Sequence, residues 1–253
     1  MKEWILQQIT LKTAKKKKYE VAVLPFGSTE PHNFHLPYGC DTLQCEAIAE
    51  KVCEKAYNLG AKVIMLPTIA YGANNNFNFP LTIHMSPSTH LAIVSDIVRS
   101  LEARQIYKLV LFNGHAGNNF QFIARELYGK TPVVIIVVDW WKVASDIGEK
   151  IFENKGEHAD EMETSLALEL IPELVHLDDA GNGVVKSSYF EAINRNWVFI
   201  VRPWHLLTKD SGYGDPRKAS KQKGEKYLSV LVERLSRFLY ELSERSLDDK
   251  FPY

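Results

Sequence analysis

The chain has 253 residues, 45% of them hydrophobic and 24% charged, with a formal net charge of −1. That composition is globular, and the near-zero charge argues against nucleic acid or an anionic membrane as a partner. No window reaches the ~18 apolar residues of a membrane span. Residues Met1 to Gln8 lack the apolar run of a signal peptide. The three cysteines, Cys40, Cys45 and Cys53, are odd in number and close together, a pattern of unpaired thiols. A cytoplasmic protein is expected.

The first element in chain order is Val21 to Gly27, a short apolar run closed by glycine, which reads as a buried strand. From Asp41 to Leu59, Ile48, Val52 and Ala56 recur at helical spacing, with Gly60 as a stop. Lys62 to Pro67 is a second buried strand, and an asparagine-rich loop, Ala73 to Asn78, follows it. Ser86-Pro87-Ser88 opens a helix running to Arg104. A third strand, Lys108 to Phe112, leads into Asn113-Gly114-His115 and a helix from Asn118 to Tyr128. Val133 to Val138 has the strongest character of a buried strand, because all six residues are β-branched. An acidic helix from Asp160 to Leu174 comes next, and a long amphipathic helix from Asp215-Pro216 to Arg245 closes the chain. Apolar strands alternating with helices predict a mostly parallel sheet covered on both faces. The expected fold is a three-layer αβα sandwich forming a single domain over residues 1–253.

Three segments carry chemistry. Glu30 and His32 lie two apart directly after a strand, where i and i+2 face the same way, and Asp41 follows a short loop. Carboxylate, imidazole and carboxylate make a mixed oxygen and nitrogen set suited to zinc, manganese or iron(II). His115 sits at another strand end, between two glycines that let backbone pass close to a ligand. Open α/β sheets place their sites at that edge. In Glu157-His158-Ala159-Asp160-Glu161, helical spacing puts Glu157, His158 and Glu161 on one face.

Together these segments resemble the creatininase family. The matching motifs are Gly27 to Asp41 (Gly-x-x-Glu-x-His, then His-Leu-Pro and Asp), Asn113 to Asn118, and His158 to Ser165, in family order across nearly the whole chain. The resemblance implies the creatininase fold, two divalent metal ions and an oligomer, commonly a hexamer. It implies Glu30 and His115 as ligands of one metal, His32 of the other, and Asp41 as the carboxylate bridging both. Creatininase completes its second metal with a glutamate at the position of Gly117, so this chain departs from the family at a ligand. Glu161 is expected to replace it. His158 matches the catalytic histidine and would shuttle the proton, with Glu157 orienting it or taking the proton of water.

The implied activity is hydrolysis of an amide, cyclic amide or formamide in a small polar substrate by metal-activated water. Creatinine itself fits poorly, because an aromatic–acidic pair of the family's pocket is replaced by Asn154-Lys155. Asn76, Lys155 and Trp141 are the expected substrate contacts. The competing reading is a non-catalytic relative that binds metal or ligand on the same fold, motivated by the acid missing at Gly117. A serine enzyme lacks the Gly-x-Ser-x-Gly elbow, and a dinucleotide enzyme lacks Gly-x-Gly-x-x-Gly.

Overall fold

A computed structural model describes residues 2–253, so Met1 of the expected domain lies outside the described residues. Four parallel strands, β1 (Val21–Phe26), β2 (Val63–Met65), β3 (Lys108–Asn113) and β4 (Val134–Asp139), form one sheet in the order β2-β1-β3-β4. The alternation of side chains along each strand explains the layers. Val21, Val23, Val63, Met65, Val110 and Phe112 point to one face. Ala22, Leu24, Phe26, Ile64, Leu109 and Leu111 point to the other.

Five longer helices cover the sheet: α1 (Cys40–Asn58), α2 (Pro87–Glu102), α3 (Phe120–Leu127), α4 (Glu161–Leu170) and α5 (Lys221–Glu244). The first face packs on α1, through Cys45, Ile48, Ala49, Val52, Cys53 and Ala56, and on α5, through Tyr227, Leu228, Leu231 and Leu235. The second packs on Val94, Val98 and Leu101 of α2 and on Phe120 and Ile123 of α3. Both faces are apolar and covered, which is the three-layer αβα arrangement expected. Cys40, Cys45 and Cys53 are free and buried within it.

Two expectations change. The β-branched run of β4 lies at the sheet edge, and Val134 to Val137 are only partly buried. A strand with one neighbour keeps an uncovered flank, whatever its composition. The last helix begins at Lys221 rather than at Asp215-Pro216. The Asp215 carboxylate accepts from the Arg217 N–H and pairs with the Arg217 side chain, closing a separate turn. Ser220 then caps the helix by accepting from the Lys223 N–H.

Register brings the strand ends level, with Phe26 opposite Asn113 and Asn113 opposite Asp139. The loops that follow these residues therefore leave the sheet from one line, at its C-terminal edge.

Candidate metal centre

Glu30, His32 and Asp41 leave the tip of β1 and enter α1, and His115 leaves the tip of β3. All four are buried or nearly so. His115 Nδ1 lies 3.1 Å from Glu30 Oε1 and 3.0 Å from Asp41 Oδ2. His32 Nε2 lies 3.0 Å from Asp41 Oδ1 and 3.4 Å from Glu163 Oε1. Asp41 thus turns one oxygen toward each imidazole, and two adjacent groups of donors share it.

The second nitrogen of each imidazole decides which atom faces the centre. His32 Nδ1 is 3.0 Å from the Glu30 carbonyl, and His115 Nε2 is 3.4 Å from the Ala73 carbonyl. His158 Nε2 is 2.9 Å from the Pro31 carbonyl. Carbonyls only accept, so these nitrogens carry the protons, and lone pairs at His32 Nε2, His115 Nδ1 and His158 Nδ1 are left facing carboxylates. A lone pair aimed at a carboxylate needs a cation between them. Backbone acceptors behind the ring are the usual support of a metal-ligating histidine.

Electrostatics record the same demand for positive charge, which a proton meets on the imidazole when no cation lies between it and the carboxylate. Burial opposes charge on His32, but Asp41 and Glu163 outweigh it and hold its pKa well above the ordinary value. His115 is raised in the same way, against burial, by Glu30 and Asp41. Asp41 Oδ2 is buried without a hydrogen bond of good geometry. Oxygen and imidazole donors within 4.8 Å of one another, one of them orphaned, fit a divalent transition metal.

Glu161 does not join them. Its Oε2 accepts from the Glu153 and Asn154 N–H groups at 3.1 and 2.7 Å, and its Oε1 accepts from Lys223 Nζ at 2.5 Å. Glu163 reaches the centre instead, with Oε1 beside His32 and Oε2 accepting from the Ala159 N–H at 2.5 Å. The reason is helical phase. Asp160 is the N-cap of α4, so His158 lies outside the helix. Residues 161 and 163, about 200° apart around the axis, point to opposite sides. His158 is held by a backbone bridge to Tyr213, and Ala159 adopts φ 49° before the helix begins.

The departure at Gly117 also has a structural reason. A Cβ there would lie 2.4 Å from both the Ala73 carbonyl oxygen and His115 Nε2, so no side chain fits. The carboxylate absent from that turn is available from α4.

The remaining expected residues divide. His158 faces the centre, its Nδ1 3.8 Å from Glu30 Oε1 and its ring 4.2 Å from the His32 ring. The Glu157 carboxylate does not touch that imidazole. It accepts from Arg202 Nη1 at 2.7 Å, because its backbone, bonded to Tyr213, carries it outward. Asn76 is buried and donates to Glu30 Oε2 at 2.7 Å, so it orients a candidate ligand rather than facing a substrate. Lys155 is exposed and off the wall of the cleft, since the chain there turns its side chain to solvent. Trp141 lines the cleft. This cleft, of about 700 Å³, opens onto Glu30, Asp41, His115, His158 and Glu163. Its outer wall includes Arg202 and Trp204, brought by a segment whose sequence carries no motif.

A family model described as creatinine amidohydrolase, Creatininase, matches residues 7–239. The chain belongs to the creatininase family. A solved creatinine amidohydrolase-like protein from Bacteroides fragilis superimposes with a TM-score of 0.91 at 37% identity, covering 98% of this chain and all of that one. The creatinine amidohydrolase of Pseudomonas putida is 28% identical over 85% of this chain and 87% of its own. The 3-dehydro-scyllo-inosose hydrolase of Thermotoga maritima is 25% identical over 97% of this chain and 86% of its own. Solved creatininases in a manganese form and a zinc–zinc form each match with a TM-score of 0.79 at 25% identity, over 96% and 97% of this chain and 99% and 100% of theirs.

Proposed function

We propose that this creatininase-family protein is a binuclear metal-dependent amidohydrolase acting on a C–N bond of a small polar substrate. The observation that carries the reading is Asp41, whose two oxygens face two different imidazoles, each fixed from behind by a carbonyl. Glu30, Asp41 and His115 would hold one divalent ion, and His32, Asp41 and Glu163 the other, with zinc, manganese and iron(II) all suited to the donors. Bound there, such ions supply Lewis acidity toward a carbonyl and bring the pKa of water near neutrality.

The chain's own groups do the rest. Asn76 and the backbone carbonyls hold the ligands in orientation. His158, with its proton fixed on Nε2 by Pro31, presents Nδ1 to the centre, where it takes a proton from water and returns it to the departing nitrogen. The non-catalytic reading was motivated by the acid missing at Gly117, and Glu163 supplies a carboxylate to that side of the centre.

The 3-dehydro-scyllo-inosose hydrolase relative makes hydrolysis of a non-amide ring the second reading. Metal-reconstituted protein assayed on cyclic amides, formamides, small peptides and cyclic 1,3-diketones, whose second carbonyl stabilises the departing carbanion, separates the two, with Asp41→Ala as the blank. Amide cleavage with two equivalents of metal per chain supports the proposal. Turnover of ketones alone replaces it with the second reading. His158→Ala should keep its metal and lose about 10²- to 10⁴-fold in turnover.

The family oligomer belongs to the same reading. Partly buried β4 and the exposed apolar side chains Tyr189, Phe190, Trp197 and Phe199 are surfaces that further copies of the chain would cover. Light scattering at micromolar concentration tests this. The free cysteines accord with a reducing cytoplasm, and no helix among the described residues is long and apolar enough to cross a membrane.

A further inference from the structure

The outer wall of the cleft carries two long cationic side chains, Lys142 and Arg202. Lys142 is already engaged, with Nζ 2.6 Å from Asp139 Oδ2. Arg202 differs. Its guanidinium lies 5.4 Å from the Trp204 ring and 5.8 Å from the Tyr213 ring, which hold the plane in place. Nη1 donates to Glu157, whereas Nε and Nη2 have no protein partner among the described residues. Trp204 in turn meets His158 edge to face, with ring centroids 5.1 Å apart. One aromatic ring therefore separates a cation with free donors from the histidine at the centre.

We infer that Arg202 determines specificity by binding a carboxylate of the substrate, so that the enzyme prefers small amides bearing a free acid long enough to reach past the Trp204 ring from the scissile C–N. This rests on the amidohydrolase reading of the same centre. The floor of the cleft is acidic, through Glu30, Asp41 and Glu163, and is suited to cations and a neutral carbonyl rather than to an anion. A substrate anion must therefore be held at the wall, and Arg202 presents a planar fork there. Glu157 does not block it. Both members of that pair are about half exposed, 43% and 52%, and an exposed ion pair contributes little, so a bidentate carboxylate can displace Glu157 or share the guanidinium with it.

The test uses the metal-loaded protein and matched substrates, N-acyl amino acids running from N-acylglycine to longer ω-amino acids, each assayed as its free carboxylate and as its methyl ester. Wild type should favour the carboxylate in kcat/KM. Arg202→Gln should lose about 10- to 100-fold on the carboxylate and little on the ester, the range for a charge-assisted hydrogen bond. Arg202→Lys should fall between, and Glu157→Gln should sharpen the preference. No preference in wild type, or equal losses on both forms in Arg202→Gln at unchanged metal content and melting temperature, overturns the inference. If wild type cleaves no amide, the amidohydrolase reading fails, and calorimetric binding of the same N-acyl amino acids still decides this one. Weaker binding of the acid alone in Arg202→Gln supports it, and equal binding of acid and ester overturns it.

Discussion

Glu161 and Glu163 are both acids of one helical turn, yet one is held by a lysine and two backbone N–H groups while the other faces an imidazole. Glu163→Gln should therefore lose about one equivalent of metal per chain and most turnover, and Glu161→Gln should keep both equivalents. Metal analysis of the two variants checks this. His35 provides a residue-scale pH dependence. It is buried with Nε2 2.8 Å from Thr164 Oγ1, and burial pushes its pKa down to about 4. Its depressed value means stability present above the unfolded pKa of about 6.5 and lost as pH falls from there toward 4. The full effect is at most about 3 kcal/mol. Asp160 works in the opposite sense, since burial raises it to about 7, which favours the fold at low pH and fades as pH rises toward 7. Comparing His35→Asn with wild type in urea at pH 4.5 and pH 7 isolates the histidine. The variant should lose less stability on acidification.

At the scale of elements, helices α4 and α5 cross at Gly224. A Cβ there would lie 2.0 Å from the Ser165 carbonyl oxygen, a backbone atom that cannot swing aside. Glycine to alanine inside a helix ordinarily gains up to about 1 kcal/mol. Gly224→Ala should instead destabilise by more than that, and stabilisation in a denaturant titration would show that the helices can part freely. Ser220→Ala removes the cap of α5 and should cost about 1 kcal/mol by the same measurement. These elements were largely legible in the sequence because apolar periodicity, caps and stops are local. Boundaries slipped where a side chain formed its own turn, as at Asp215. The edge position of β4 left no trace, because β-branched residues do not record what lies beside a strand.

For the whole molecule, the candidate centre gathers three carboxylates and two imidazoles from the loops after β1 and β3 and from α1 and α4, so cation binding is also a link between distant parts of the chain. Metal should raise thermal stability, by about 4 kcal/mol when free metal is a thousandfold above Kd. Asp41→Ala should abolish most of that gain, and calorimetry with and without chelator reads the difference. A wild-type melting temperature indifferent to metal would contradict the shared centre.

By itself, the sequence determined the alternating strands and helices and the parallel sandwich, and it marked Glu30, His32 and His115 for the sheet's C-terminal edge, because each lies a few residues beyond a strand whose end sets its direction, with Asp41 at the start of the helix that follows. Only the tertiary structure placed Glu163 rather than Glu161 beside His32, since two residues along a helix point about 200° apart and the packing of the helix sets which one faces the sheet edge. It alone turned Glu157 outward, placed Asn76 behind Glu30 and brought Arg202 to the cleft, because these contacts join loops far apart in the chain, and no local periodicity encodes where such loops meet.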